Sequence, residues 1–192
     1  MEQSLKSTAQ HIGMKEGKRI SSDIAMLVII TSMSMLFATL LLGYSVYRVS
    51  SSTWPPAGFD RISLLIPTLS ACIILFSSLF YYFYEKNYDQ RYFFLSFLFG
   101  IFFVRTQFYL WESLKSHELY SHSGIFGSMI YGFTWIHMGH IALAFLLLVY
   151  LTPIVWKNQL NDEIKQRIKN IGKFWHFLGV IWVIMYLALF VL

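Results

Sequence analysis

Residues 124–155, GIFGSMIYGFTWIHMGHIALAFLLLVYLTPIV, contain no Lys, Arg, Asp or Glu. A helix needs about 20 predominantly apolar residues to cross a hydrocarbon core of about 30 Å, so this stretch is longer than one crossing and is expected to tilt or to extend beyond the bilayer. Outward from it, the same reading picks out Ile171–Leu192 downstream and Tyr92–Trp111, Ile62–Tyr84 and Ile24–Tyr47 upstream. Hydrophobic residues make up 56% of the 192 positions and charged residues 13%, against about 25% charged in soluble domains. So much apolar surface has no place to hide in water. The expected fold class is all-α: an integral membrane bundle of five transmembrane helices, residues 24–192, preceded by a polar cytoplasmic tail over residues 1–23. That tail lacks the apolar core and small-residue cleavage site of a signal peptide.

The basic residues fix the expected orientation. Eleven lie in the tail and in the second and fourth connections: Lys6, Lys15, Lys18, Arg19, Lys86, Arg91, Lys157, Lys165, Arg167, Lys169 and Lys173. The other side carries only Arg48, Arg61 and Lys115, which places the N-terminus in the cytoplasm and the C-terminus outside by the positive-inside rule. Trp54, Tyr81, Tyr82, Tyr84, Tyr92, Trp111, Trp156 and Trp175 sit near span ends and read as interfacial belts. Pro55-Pro56 with Gly58 reads as a rigid stop after the first span. The lone Cys72 lies in an apolar segment and is expected to pack there. Asn158–Asn170 reads as a polar loop able to form a short surface helix.

Polar groups inside spans are the candidates for function. Arg105 lies in the outer half of the third span, with Glu112 two turns further along the same face. One reading is snorkelling toward the interface with Glu112 as a partial partner; the other is a contact with a lipid phosphate or a neighbouring subunit. His137 and His140 share a face of the fourth span, and His176 opens the fifth. Two histidines three apart on one face do not sandwich a haem, and no Glu-x-x-His pair accompanies them, so interhelical hydrogen bonds or contacts to lipid and subunits are the main expectation. Nothing patterned for a phosphate loop, a nucleophilic triad or nucleic-acid binding is present in the sequence, and few intramembrane carboxylates suit a transporter.

The order of motifs resembles subunit III of haem–copper oxidases, in the short five-helix bacterial form shared by cytochrome c and quinol oxidases. The features that carry the resemblance are Tyr44-x3-Arg48, Trp54-Pro55-Pro56-x-Gly58, Ile66-Pro67 with Phe76-Ser77-Ser78, and Gly100-x2-Phe103-x3-Gln107-x3-Trp111. The most specific are Gly127-Ser128-x2-Tyr131-x2-Thr134-x2-His137-x2-His140 and Trp175-His176-Phe177-x4-Trp182. The chain departs from the family pattern at Met33, Leu110 and Gly179, where the family carries carboxylates, and at Trp135, where it carries glycine.

The resemblance implies a non-catalytic accessory subunit of a proton-pumping terminal oxidase in a bacterial inner membrane, within aerobic electron transport. It would hold no haem or copper itself, these residing in the catalytic partner, and would assemble with the catalytic and electron-donor-binding subunits. A lipid-filled cleft is expected between helices 1–2 and helices 3–5, with Arg105, His137, His140, Trp175 and His176 as lipid or subunit contacts and no catalytic, cofactor or metal residues. Nucleic acid is not an expected partner. The alternatives are the equivalent subunit of a quinol oxidase or nitric oxide reductase, a stand-alone haem-b protein, or a small transporter.

Overall fold

The computed structural model describes residues 1–52, 64–116, 119–122, 124–158 and 160–191, and only the backbone over 2–12. The Pro55-Pro56 turn and Trp54 lie outside the described residues. Five helices run in order: α1 (Glu2–Ser50), α2 (Leu65–Asn87), α3 (Gln90–Ser116), α4 (Ile125–Trp156) and α5 (Asp162–Tyr186), the last continuing as a π-helical turn over Leu187–Val191. All five are long and apolar enough to span a membrane, so the chain is an all-α, multi-pass membrane bundle.

Local chemistry sets the breaks. Helix α2 closes on Tyr88, whose φ of 54° puts it in the left-handed region and whose N–H bonds the Tyr84 carbonyl at 2.7 Å. One residue later the Asp89 carboxylate accepts the Arg91 N–H at 3.0 Å, meeting one of the donors left free at the start of α3. This two-residue link makes α2 and α3 an antiparallel hairpin. Helix α4 ends at Trp156, and two residues on Asn158 takes the left-handed φ of 51° with its N–H on the Val155 carbonyl at 3.1 Å; Asp162 and Glu163 then place negative charge at the N-terminus of α5.

Two boundaries differ from the sequence reading. Residues 2–23 continue α1 as helix, and the polar stretch read as a loop contributes the first two turns of α5 from Asp162. There Ile164, Ile168 and Ile171 recur at helical spacing and turn inward.

Apolar side chains gain little by leaving lipid for a helix interface, so packing and interhelical hydrogen bonds must hold the bundle. Ser77 of α2 donates to the Ser96 carbonyl of α3 at 2.7 Å, and Trp175 of α5 donates through Nε1 to Ser77 Oγ at 3.2 Å. Trp111 of α3 donates to Thr134 Oγ1 of α4 at 3.0 Å, and Phe97 stacks on Phe145 with centroids 4.6 Å apart. Helix α5 is the central member, packed against α1, α2 and α4. Helix α1 is peripheral; among its described residues the fully buried apolar side chains are Phe37 and Tyr44.

The expected separation of helices 1–2 from helices 3–5 is not what forms. Helix α2 packs along both α3 and α5, tied to them by the Ser77 bonds. The open space lies instead between α1 and α4. Expectations for four single residues are also corrected: Tyr81, Tyr84 and Trp175 point into the core rather than into an interfacial belt, while Cys72 is exposed on the outside of α2.

Candidate functional site

The five residues singled out from sequence fall in three places. His137 is 1% exposed, at the centre of an aromatic nest. Its ring lies 5.4 Å from Trp182, 6.0 Å from Phe37 and 6.3 Å from Phe103 between centroids. Neither of its ring nitrogens has a hydrogen-bond partner among the described residues. His140, one turn on, is partly exposed; its Nδ1 pairs with the Ile136 carbonyl at 2.8 Å, and its ring meets Phe37 at 5.8 Å. The shared face of these two histidines is therefore the one turned toward α1.

Trp175 and His176 are adjacent in sequence and serve different contacts of α5. Trp175 is fully buried where α2, α3 and α5 meet. His176 is half-buried, hydrogen-bonded through Nδ1 to the Ser78 hydroxyl, with Nε2 3.9 Å from a Glu85 carboxylate oxygen. Tyr81 meets the His176 ring edge-on at 5.9 Å and donates its hydroxyl to the Ile168 carbonyl at 3.0 Å. His176 thus faces α2, six residues along α5 from the Trp182 that packs on His137, and the three histidines do not converge. Among the described residues, no three His, Cys, Asp or Glu side chains are grouped as a metal site.

Sequence reasoning missed Glu85 and the polar foot of α1. Asp23 accepts a hydrogen bond from Gln166 Nε2 and lies 3.7 Å from the Lys173 ammonium, while Asn170 donates to Ser22 at 3.1 Å. These groups clamp the start of the first span to the start of α5. Glu85 and Asp23 stand at span edges beside bases, where they read as ordinary loop charges, and their partners lie far away in sequence.

Arg105 stands apart. It is exposed on the outer face of α3, and no hydrogen bond or ion pair joins it to Glu112, which is also exposed.

Between α1 and α4 lies a cleft of about 610 Å³ lined by Leu40 and Gly43 on one side and Met129, Gly132, Phe133 and Ile136 on the other. Its lining is mostly apolar, and a side chain grown from Gly43 or Gly132 would start with nothing within 4 Å.

A family model described as cytochrome c oxidase subunit III matches residues 7–192. Among curated relatives, the cytochrome c oxidase subunit 3 of Thermostichus vulcanus is 25% identical over 180 residues, covering 88% of this chain and 86% of the relative. The protein of the same name from Synechocystis sp. is 25% identical over 170 residues, covering 83% and 70%. The cytochrome bo(3) ubiquinol oxidase subunit 3 of Pseudomonas putida is 24% identical over 165 residues, covering 82% and 79%.

Proposed function

Because this chain belongs to the cytochrome c oxidase subunit III family, and is thereby an accessory subunit that associates with the catalytic subunits of a haem–copper oxidase, we propose that it stabilises that catalytic subunit in a bacterial inner membrane and holds structural phospholipid. The N-terminus faces the cytoplasm in this reading, as the distribution of bases requires. Haem and copper belong to the catalytic partner. The observation that carries the proposal is the set of polar bonds that run between helices of the bundle, Ser77 to the Ser96 carbonyl, Trp111 to Thr134 and Trp175 to Ser77, which is what a scaffold needs.

The similar identities to a cytochrome c oxidase subunit and a ubiquinol oxidase subunit support a quinol oxidase as the second reading. Gentle detergent pull-down of the tagged chain from its native membrane separates the two. We expect a large haem- and copper-containing subunit to come with it, and the third subunit recovered identifies the electron donor. A colourless chain recovered alone would overturn the oxidase assignment.

Lipid is assigned to the α1/α4 cleft. Its volume of about 610 Å³ falls within the roughly 300–1,000 Å³ of sites that enclose small ligands, and its walls suit acyl chain. The Gly132→Phe substitution is expected to lower the amount of tightly retained phospholipid, read by native mass spectrometry, without loss of thermal stability, because the new side chain enters open space. Unchanged lipid content would remove the cleft as a lipid site. Arg105, His140 and His176 keep access to lipid or subunits from outside, whereas His137 and Trp175 are enclosed by their own chain.

A further inference from the structure

We infer that the outer stripe of α3 is a binding site for a zwitterionic phospholipid with a primary amine, Arg105 taking the phosphate and Glu112 the ammonium. The inference rests on the reading that this subunit holds phospholipid, and it names the headgroup for a surface separate from the α1/α4 cleft.

The stripe runs Leu98, Ile101, Phe102, Arg105, Phe108, Tyr109, Glu112, and each of these side chains is exposed. Their spacing keeps them on one helix face. Below Arg105 the surface is wholly apolar. Arg105 and Glu112 are the charged members, with exposed Lys115 following one turn beyond the acid, and among the described residues neither Arg105 nor Glu112 has a hydrogen-bond or ion-pair partner.

A cation on an apolar face is costly without an anion nearby. Glu112 does not fill that role by itself, since its Cα stands seven residues, about 10 Å, further along the axis. The gap matters because it leaves room for a ligand that is negative at one end and positive at the other. Depth supports a headgroup as that ligand. Glu112 follows Trp111, whose indole is anchored to Thr134 and whose residue type marks the interface. Arg105, two turns deeper, reaches outward as long basic side chains do.

A guanidinium offers a planar fork of donors matched to a phosphate, and acyl chains can then run along Phe102, Ile101 and Leu98. The ethanolamine arm carries its amine outward from the phosphate toward the carboxylate. A purely anionic headgroup would satisfy Arg105 but set its own charge against Glu112. A quaternary amine would bring the positive charge without N–H donors for the carboxylate.

The test uses the intact oxidase complex, purified through this chain and exchanged into nanodiscs holding equimolar phosphatidylethanolamine and phosphatidylcholine, with retained lipid read by native mass spectrometry. The wild-type complex should retain the ethanolamine lipid in excess of the Glu112→Gln complex by about five-fold relative to choline lipid, the order expected of one net hydrogen bond from the primary ammonium to the carboxylate. Because other lipid sites are common to both preparations, the difference reports this stripe. Arg105→Leu should lose lipid of both kinds with the catalytic subunit still present. Identical lipid ratios in wild type and Glu112→Gln would overturn the inference. So would loss of the catalytic subunit from Arg105→Leu with lipid unchanged, since the stripe would then be a protein interface. If the catalytic subunit never accompanies the wild-type chain, the accessory-subunit reading fails, while the lipid ratio measured on the chain still decides this one.

Discussion

Replacing Trp175 by alanine is expected to destabilise the bundle by about 3 kcal/mol or more, within the range seen for large aromatic residues removed from packed cores. The indole is 0% exposed and closes three helices onto one another. Its Nε1 donates to Ser77 Oγ at 3.2 Å, and Ser77 in turn donates to the Ser96 carbonyl at 2.7 Å, so one chain of bonds runs from α5 through α2 to α3. The far edge of the ring rests on Gly100, where a Cβ would stand 3.2 Å from both Cζ2 and Cη2. That glycine is needed because α3 must approach the flat ring closely.

Lipid solvates apolar surface as well as a helix core does, so most of the loss comes from vacated packing rather than from exposure of hydrocarbon. Trp175→Phe separates the contributions: it keeps much of the ring and removes the donor, and should lose only about 1 kcal/mol, in line with interhelical hydrogen bonds in membranes. Thermal unfolding of the purified complex, with complex yield as a second readout, should rank wild type above the phenylalanine variant and that above alanine. Equal melting of wild type and Trp175→Ala would mean that the three-helix junction is held elsewhere.

How much of this was legible beforehand follows from the kind of information each feature requires. Hydropathy located all five helices because length and apolarity are properties of a single segment. It missed the start of α5 because Ile164, Ile168 and Ile171 are diluted by the charges between them, so the signal there is period rather than average. The motif around Trp175 and His176 carries the family resemblance, yet from sequence Tyr81, Tyr84 and Trp175 read as interfacial. An aromatic residue near a span end fits either place, and the direction of Tyr81 is decided by an acceptor on another helix, the Ile168 carbonyl. The cleft was misplaced for a similar reason. Ser77 and Ser78 were visible as small polar residues, but their bonds to Ser96, Trp175 and His176, which tie α2 to α3 and α5, exist only in the assembled fold.

Gly172 is the second position where a small change should have a large consequence. On the side facing α2, a Cβ there would stand 2.6 Å from Tyr81 Cε1 and would also collide with the Glu85 carboxylate. Gly172→Ala is therefore expected to destabilise the bundle by about 1–3 kcal/mol, the usual range for overpacking. The two obstructing groups differ in how they can respond. Glu85 is a flexible, half-buried side chain whose charged end can swing away, giving up its approach to His176. Tyr81 cannot, because its hydroxyl is held by the Ile168 carbonyl and its ring is packed against Tyr84, Phe93 and His176. The ring should thus carry most of the penalty. Double-mutant cycles on the purified complex resolve the two: Glu85→Ala should leave most of the effect of Gly172→Ala in place, whereas Tyr81→Phe, by releasing the ring, should relieve part of it. If Glu85→Ala alone restored wild-type melting, the spacing of α2 and α5 would be set by the acid, and the Tyr81–Ile168 bond would be a consequence of that spacing rather than its cause.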